Sequence, residues 1–192
     1  MSRKEDARVI RTKKRIEDTT IALLTIQPDF SITTLLERAA VTKGTFYKYF
    51  QNKEHLISEV NNSLLFEIST AIQDKIHISK IIRIISGQAA FYNAVLNFNT
   101  DVLFLVNVKA RMRSFMKTKV DLIEDESIQQ KIIFQFEALM GGFWSLVAVW
   151  LDNNMDIDQG MLISQFEEIL RLNTTGISKN ALSLFDFSND VK

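Results

Sequence analysis

Pro28 is the only proline in a chain of 192 residues, and six glycines are the only other strong helix breakers. In a helix interior a proline costs about 3 kcal/mol and a glycine about 1 kcal/mol relative to alanine, so a chain this poor in both is free to run long helices. The apolar residues recur to match. Ile16, Thr19, Thr20, Leu23 and Leu24 share one face at helical spacing, which predicts a first helix from about Arg8 to near Pro28 behind a frayed tail over residues 1–7. Ser31 can cap a second helix whose inward side is Ile32, Leu35, Leu36 and Ala39, and Thr42 a short third one resting on Phe46 and Phe50.

From Asn52 the pattern lengthens. Leu56, Ile57, Val60, Leu64, Ile68, Ile72 and Ile76 step by three and four, predicting a connector helix over 53–76. Beyond it, segments near 78–86, 88–97, 101–118, 127–152 and 158–173 keep the same period, with Asp158 as the cap of the last. No strand alternation is visible. The tail after Thr174 is polar apart from Leu182, Leu184, Phe185 and Phe187, and is expected to dock weakly or stay mobile.

Composition excludes several classes. Apolar residues at 46% and charged residues at 24% describe a globular protein. With no cysteine, disulfides, thiolate metal sites and thiol catalysis are ruled out. The polar N-terminus lacks the apolar core of a secretory signal, and the longest apolar runs fall short of the ~18–20 residues of a membrane span, so a cytoplasmic protein with no membrane partner is expected. Charge is zero overall but uneven: residues 1–55 hold 11 Lys+Arg against 7 Asp+Glu, a net +4, and the remainder carries −4. A basic head on an acidic body suits nucleic-acid binding.

The head also carries the groups that would do it. Residues 30–56 read FSITTLLERAAVTKGTFYKYFQNKEHL: two short amphipathic helices joined by a tight turn, the second bearing Lys43, Thr45, Tyr47, Lys48 and Tyr49. A reading helix must meet phosphates and base edges on one side while its other side holds a core, and this mixture of cations, hydroxyls and aromatics does both. The run Arg11, Lys13, Lys14 and Arg15 on the first helix adds phosphate contacts beside it.

The segments AAVT, KGTFYKYF and NKEHL resemble the turn, recognition helix and fourth-helix start of the TetR family of bacterial transcription regulators, and the resemblance covers residues 9–57. It implies an all-α chain with an N-terminal three-helix, helix-turn-helix DNA-binding domain over 1–52. A helical-bundle effector-binding and dimerisation domain follows over 53–192. It implies that Thr33, Thr42 and Lys43 approach bases or phosphates, that Thr45 and Lys48 face the major groove, that Tyr47 and Tyr49 bond phosphates, and that Lys53 clamps one more. Two departures stand out. Ala40 occupies the usual turn glycine, costing about 1 kcal/mol if its φ is positive, and Leu36 replaces a small alanine.

The resemblance further implies a homodimer on a near-palindromic operator, with the helices near 127–152 and 158–173 forming the dimer surface. Gly141 and Gly142 inside a helix then mark either close helix approach or a kink beside a pocket. Repression is the implied output; activation, or an effector-binding or protein-interaction helical protein without specific DNA reading, are the alternatives. An effector pocket would draw on Phe91, Tyr92, Phe104, Asn107, Arg111, Phe115, Gln135 and Trp144, large apolar groups with a few polar ones to orient a ligand. His55 and His77, the only histidines, have no metal-ligand spacing. With no nucleophile–base constellation or phosphate-cradling loop either, neither a cofactor nor catalysis is expected.

Overall fold

Pro28 lies just past the end of the first helix. The computed structural model describes residues 3–172 and 183–188, and α1 spans Arg3–Ile26, beginning upstream of Arg8 where the apolar pattern starts. After it come α2 (Ile32–Arg38), α3 (Lys43–Tyr49) and α4 (Lys53–Thr70), then α5 (Ile78–Gly87), α6 (Ala89–Asn97), α7 (Val102–Val120), α8 (Glu126–Asp152) and α9 (Gln159–Leu172). Most helix starts are set by the residue just before them. Ser31 Oγ accepts from the Thr34 amide at 3.1 Å, Thr42 Oγ1 from Thr45 at 3.2 Å, Asn52 Oδ1 from His55 at 2.7 Å and Asp158 Oδ1 from Met161 at 2.9 Å. Each satisfies one of the amides that a helix start leaves unpaired.

The predicted connector is shorter than its apolar pattern. α4 stops at Thr70, and the chain turns through Gln73–Lys75 so that Ile72 bridges Ile76. Ile76 and His77 form a two-residue strand, β1, paired in parallel with β2 (Phe185–Asp186). The sequence shows no alternation there because two residues cannot display one. The pairing is made instead by backbone bonds such as the Ile76 amide to the Leu184 carbonyl at 2.9 Å. Leu184 and Phe185 are buried, with Phe185 stacked on Phe136 at 5.8 Å between ring centroids, so this part of the tail docks firmly. Leu182 lies outside the described residues.

One apolar core runs through head and body. In the head, Ile16, Leu23, Phe30, Leu35, Phe46, Phe50 and Leu56 are fully buried. α1 packs against α2 and α4, and also against α6 of the body. α8 is long and apolar enough to cross a membrane by length and composition. It buries Ile132, Phe136, Phe143, Val147 and Trp150 in the protein, as the core helix of a bundle does.

Candidate nucleic-acid interface

The turn between α2 and α3 is a Schellman motif. Ala40 is left-handed, with φ 49°. Its amide donates to the Glu37 carbonyl at 3.2 Å, and the Val41 amide donates to the Leu36 carbonyl at 3.1 Å. This motif wants an apolar pair at the positions of Leu36 and Val41, and both are half-buried against the core. Leu36 thus has a structural use that its departure from the family pattern conceals. Ala40 keeps the geometry despite its Cβ, and its carbonyl accepts from Arg15 Nη2 at 3.3 Å, tying α1 to the turn.

α3 divides its side chains cleanly. Phe46 is buried with its ring 5.6 Å from that of Phe50 and edge-on to Tyr47 at 5.2 Å. Thr42, Lys43 and Lys48 are exposed, Tyr47 is 47% exposed, and Thr45 is half-buried. Tyr49 is half-buried against the core, with its ring edge-on to Phe50. Lys43 Nζ stands 6.0 Å from the Tyr47 ring centre, so the two project together. The hydroxyls of Thr42 and Thr45 lie 2.9 Å apart and bond each other, leaving one hydroxyl proton of the pair to offer outward. Thr33 is exposed at the start of α2.

Lys53 is placed differently from the others. Its ammonium donates to the Phe30 carbonyl at 2.5 Å and sits 4.2 Å from the Phe30 ring centre. The basic run of α1 also splits, because residues three or four apart share a helix face. Arg8, Arg11, Thr12 and Arg15 line one side of an open cleft of about 460 Å³, and Ala40, Val41, Thr42 and Thr45 line the other. Lys13 turns away, 3.7 Å from Glu17 and 3.6 Å from Glu59. Three arginines facing the α3 start make an anion-attracting concavity beside α3. Arg8 was not singled out in the sequence; its spacing to Arg11 and Arg15 was the available signal.

The eight residues expected to line an effector pocket do not share one cavity. Phe91, Tyr92 and Phe104 are buried and packed on one another, with ring centroids 5.3 to 6.0 Å apart. The Tyr92 hydroxyl finds no hydrogen-bond partner among the described residues, and burial, with the charge of Glu67, pushes its ionisation up. Asn107 and Arg111 lie on the exposed side of α7, and Phe115 and Gln135 are half-buried. Of the eight, Trp144 borders a cavity between α7 and α8, about 60 Å³ in volume. The same helices bring Lys109, Met112 and Arg113 there, opposite Phe136, Glu137 and Met140. Among the described residues no group of three His, Asp or Glu side chains could hold a metal ion.

A sequence profile of the family described as bacterial regulatory proteins, tetR family, matches residues 29–60. No curated protein and no solved structure matches the chain. The matched residues are the capped α2, its left-handed turn, α3 and the first part of α4, while the arginines of α1 lie upstream of them. Residues 29–60 are therefore the N-terminal DNA-binding domain of the tetR family of bacterial regulatory proteins, and the chain that carries them is a DNA-binding transcriptional regulator.

Proposed function

We propose that the chain is a homodimeric repressor whose two α3 helices read half-sites about one DNA turn apart, ~34–36 Å, and whose body binds a small effector that changes their separation. Thr33, Thr42, Lys43, Thr45 and Lys48 are the base and phosphate contacts in this reading. Tyr47, Tyr49 and Lys53 add phosphate contacts, with Arg8 and Arg11 beside them. Only about three or four side chains of such a helix reach base edges, so one head reads too little and a second copy supplies the rest.

The observation that carries the dimer is the outer face of α8 and α9. Phe134 is 66% exposed and Val149 59%, with Met161 and Ile169 exposed on α9. Between Phe134 and Val149 the same face of α8 carries Ala138, Gly141, Gly142 and Ser145, all exposed. Among the described residues a Cβ placed on either glycine would meet nothing within 4 Å, so their packing does not call for glycine there. Two helix-interior glycines cost roughly 1–2 kcal/mol together. Close approach of a partner's helix to that bare backbone offsets the cost and covers the exposed Phe134. Repression is what the family resemblance implies.

The route from effector to DNA runs through packed elements: α7 and α8 contact α6, and α6 contacts α1, whose Arg15 holds the reading turn. The test combines sedimentation velocity with a mobility shift on the DNA upstream of the chain's own gene at two salt concentrations. The expected result is a wild-type micromolar dimer that retains that DNA and a Phe134→Glu monomer that retains it less well. A wild-type monomer, or no retained complex at low salt, overturns the reading. A reporter that rises when the gene is deleted identifies repression; one that falls identifies activation.

A further inference from the structure

Trp144, which borders the cavity between α7 and α8, carries an unused hydrogen-bond donor. Trp144 is 5% exposed, and its indole N–H has no acceptor among the described residues. The nearby Trp150 differs: it is equally buried, but donates its Nε1–H to the Ile157 carbonyl at 2.8 Å. Leaving a buried donor unpaired costs about 1–3 kcal/mol, which is why such groups are usually satisfied. Around Trp144 the walls are apolar: Met112, Phe136 and Met140.

The cavity is also bordered by cations. Arg113 Nε and Nη2 each lie 2.6 Å from an oxygen of Glu137, and Lys109 lines the same space. Lys109 and Arg113 against Glu137 leave one net positive charge. The hydrogen bonds from Arg113, helped by its charge and that of Lys109, hold the Glu137 carboxyl below its usual range. Arg113 and Glu137 are both more than one-third exposed, so their pairing is open to exchange with a competing carboxylate from solvent.

We propose that this cavity is the effector site and that it takes a short-chain organic carboxylate. The ligand's oxygens accept from Arg113 and from the Trp144 indole N–H, displacing Glu137, and its alkyl part lies on Met112, Phe136 and Met140. The volume of about 60 Å³ sets the size. A cavity of roughly 150 Å³ is what holds the six carbons of a benzene ring, so this one has room for an alkyl part of about two carbons with the carboxylate at its open, Arg113 side, and two- and three-carbon acids fit best. The effector role rests on the function proposed above; the binding site does not.

Titration calorimetry of the full chain with sodium propionate, against propionamide of the same shape without the charge, tests the site. Propionate is expected to bind saturably and propionamide at least tenfold more weakly. Glu137→Gln, which removes the competing carboxylate, is expected to tighten propionate severalfold. Arg113→Gln and Trp144→Phe each weaken it about tenfold, with an unchanged circular dichroism melt showing that the variants fold. A merely structural ion pair would make Glu137→Gln and Arg113→Gln behave alike, and that result overturns the site. So does the absence of saturable heat with both acetate and propionate, or equal binding of the amide. Binding of propionate that leaves DNA retention unchanged overturns the effector role alone. Loss of DNA retention without any ligand counts against the proposed function, not against the site.

Discussion

The ammonium of Lys53 lies 4.2 Å from the centre of the Phe30 ring and donates to the Phe30 backbone carbonyl at 2.5 Å. The first residue of α4 is thereby fastened to the residue just before the α2 cap. The two ends of the reading unit, separated by more than twenty residues, meet at this contact. An ammonium has three donors, so the bond to Phe30 leaves two for a DNA phosphate. Structural and DNA-binding uses of Lys53 are compatible.

Replacing Lys53 is therefore expected to do two things at once. Lys53→Ala loses a cation–π contact and a charge-assisted hydrogen bond, lowering the unfolding free energy by about 1–2 kcal/mol in urea titration. It also weakens every DNA sequence alike. Lys43→Ala is expected to change site preference with stability within about 0.5 kcal/mol, because among the described residues the Lys43 ammonium lies exposed over the Tyr47 ring. Equal stability of the two variants would remove the Phe30 contact as a determinant of the head.

Arg11 tests the cleft beside α3. Arg11→Gln is expected to reduce the slope of log K against log salt by about 1, uniformly across DNA sequences, because a phosphate contact releases counterions whatever the bases are. Lys13→Gln, with Glu17 and Glu59 as neighbours, is expected to leave the slope in place. Mobility shifts at three salt concentrations measure both.

Ala40 is the residue whose replacement stabilises. At φ 49° its Cβ is crowded, and Ala40→Gly relieves that. The expected gain is about 1 kcal/mol less the added entropy of the unfolded chain, read as a higher urea midpoint with unchanged m. The Arg15 bond goes to the backbone carbonyl and survives the change. A lower midpoint would mean that the turn needs the methyl group.

Acid is expected to release the docked tail. Asp186 accepts from the Ser188 backbone amide at 2.9 Å, and that bond, aided by the Ser188 hydroxyl and by His77, holds its carboxyl below the ordinary aspartate range. Nδ1 of His77 lies 3.0 Å from Asp186 and Nε2 lies 3.3 Å from Asp74, so each ring nitrogen faces a carboxylate. A carboxyl depressed on folding stabilises the folded state above its unfolded value, about 3.9, and that contribution disappears as pH falls through the lower folded value. Hydrogen-exchange protection of the Ile76 amide, bonded to the Leu184 carbonyl, is expected to fall below about pH 4. Asp186→Asn is expected to lower it at neutral pH.

What could be read in advance was local. Ser31, Thr42, Asn52 and Asp158 cap helices through bonds to amides three residues on, and the left-handed Ala40 closes a turn six residues long. All the groups involved are neighbours in the chain, so residue type and spacing fix them. Phe46 and Phe50, four apart on one face, were legible for the same reason. The apolar run past Ile68 misled because Ile72, half-buried, and Ile76, buried, are covered in a turn and a strand rather than in a continued helix. Periodicity records that a residue is buried, not what buries it.

The sequence by itself determined the helical fold, the head and the side of α3 that is buried. Tertiary structure alone decided which distant groups meet: Lys53 with Phe30, Phe185 with Phe136, Arg8 and Arg11 with the start of α3, and Arg113 with Glu137. It also decided that Phe91, Tyr92 and Phe104 fill one another's space while Lys109 and Met112 border a cavity. The difference is physical. Caps and turns depend on interactions a few residues long, whereas contacts between distant segments form where close packing of whole helices brings surfaces together.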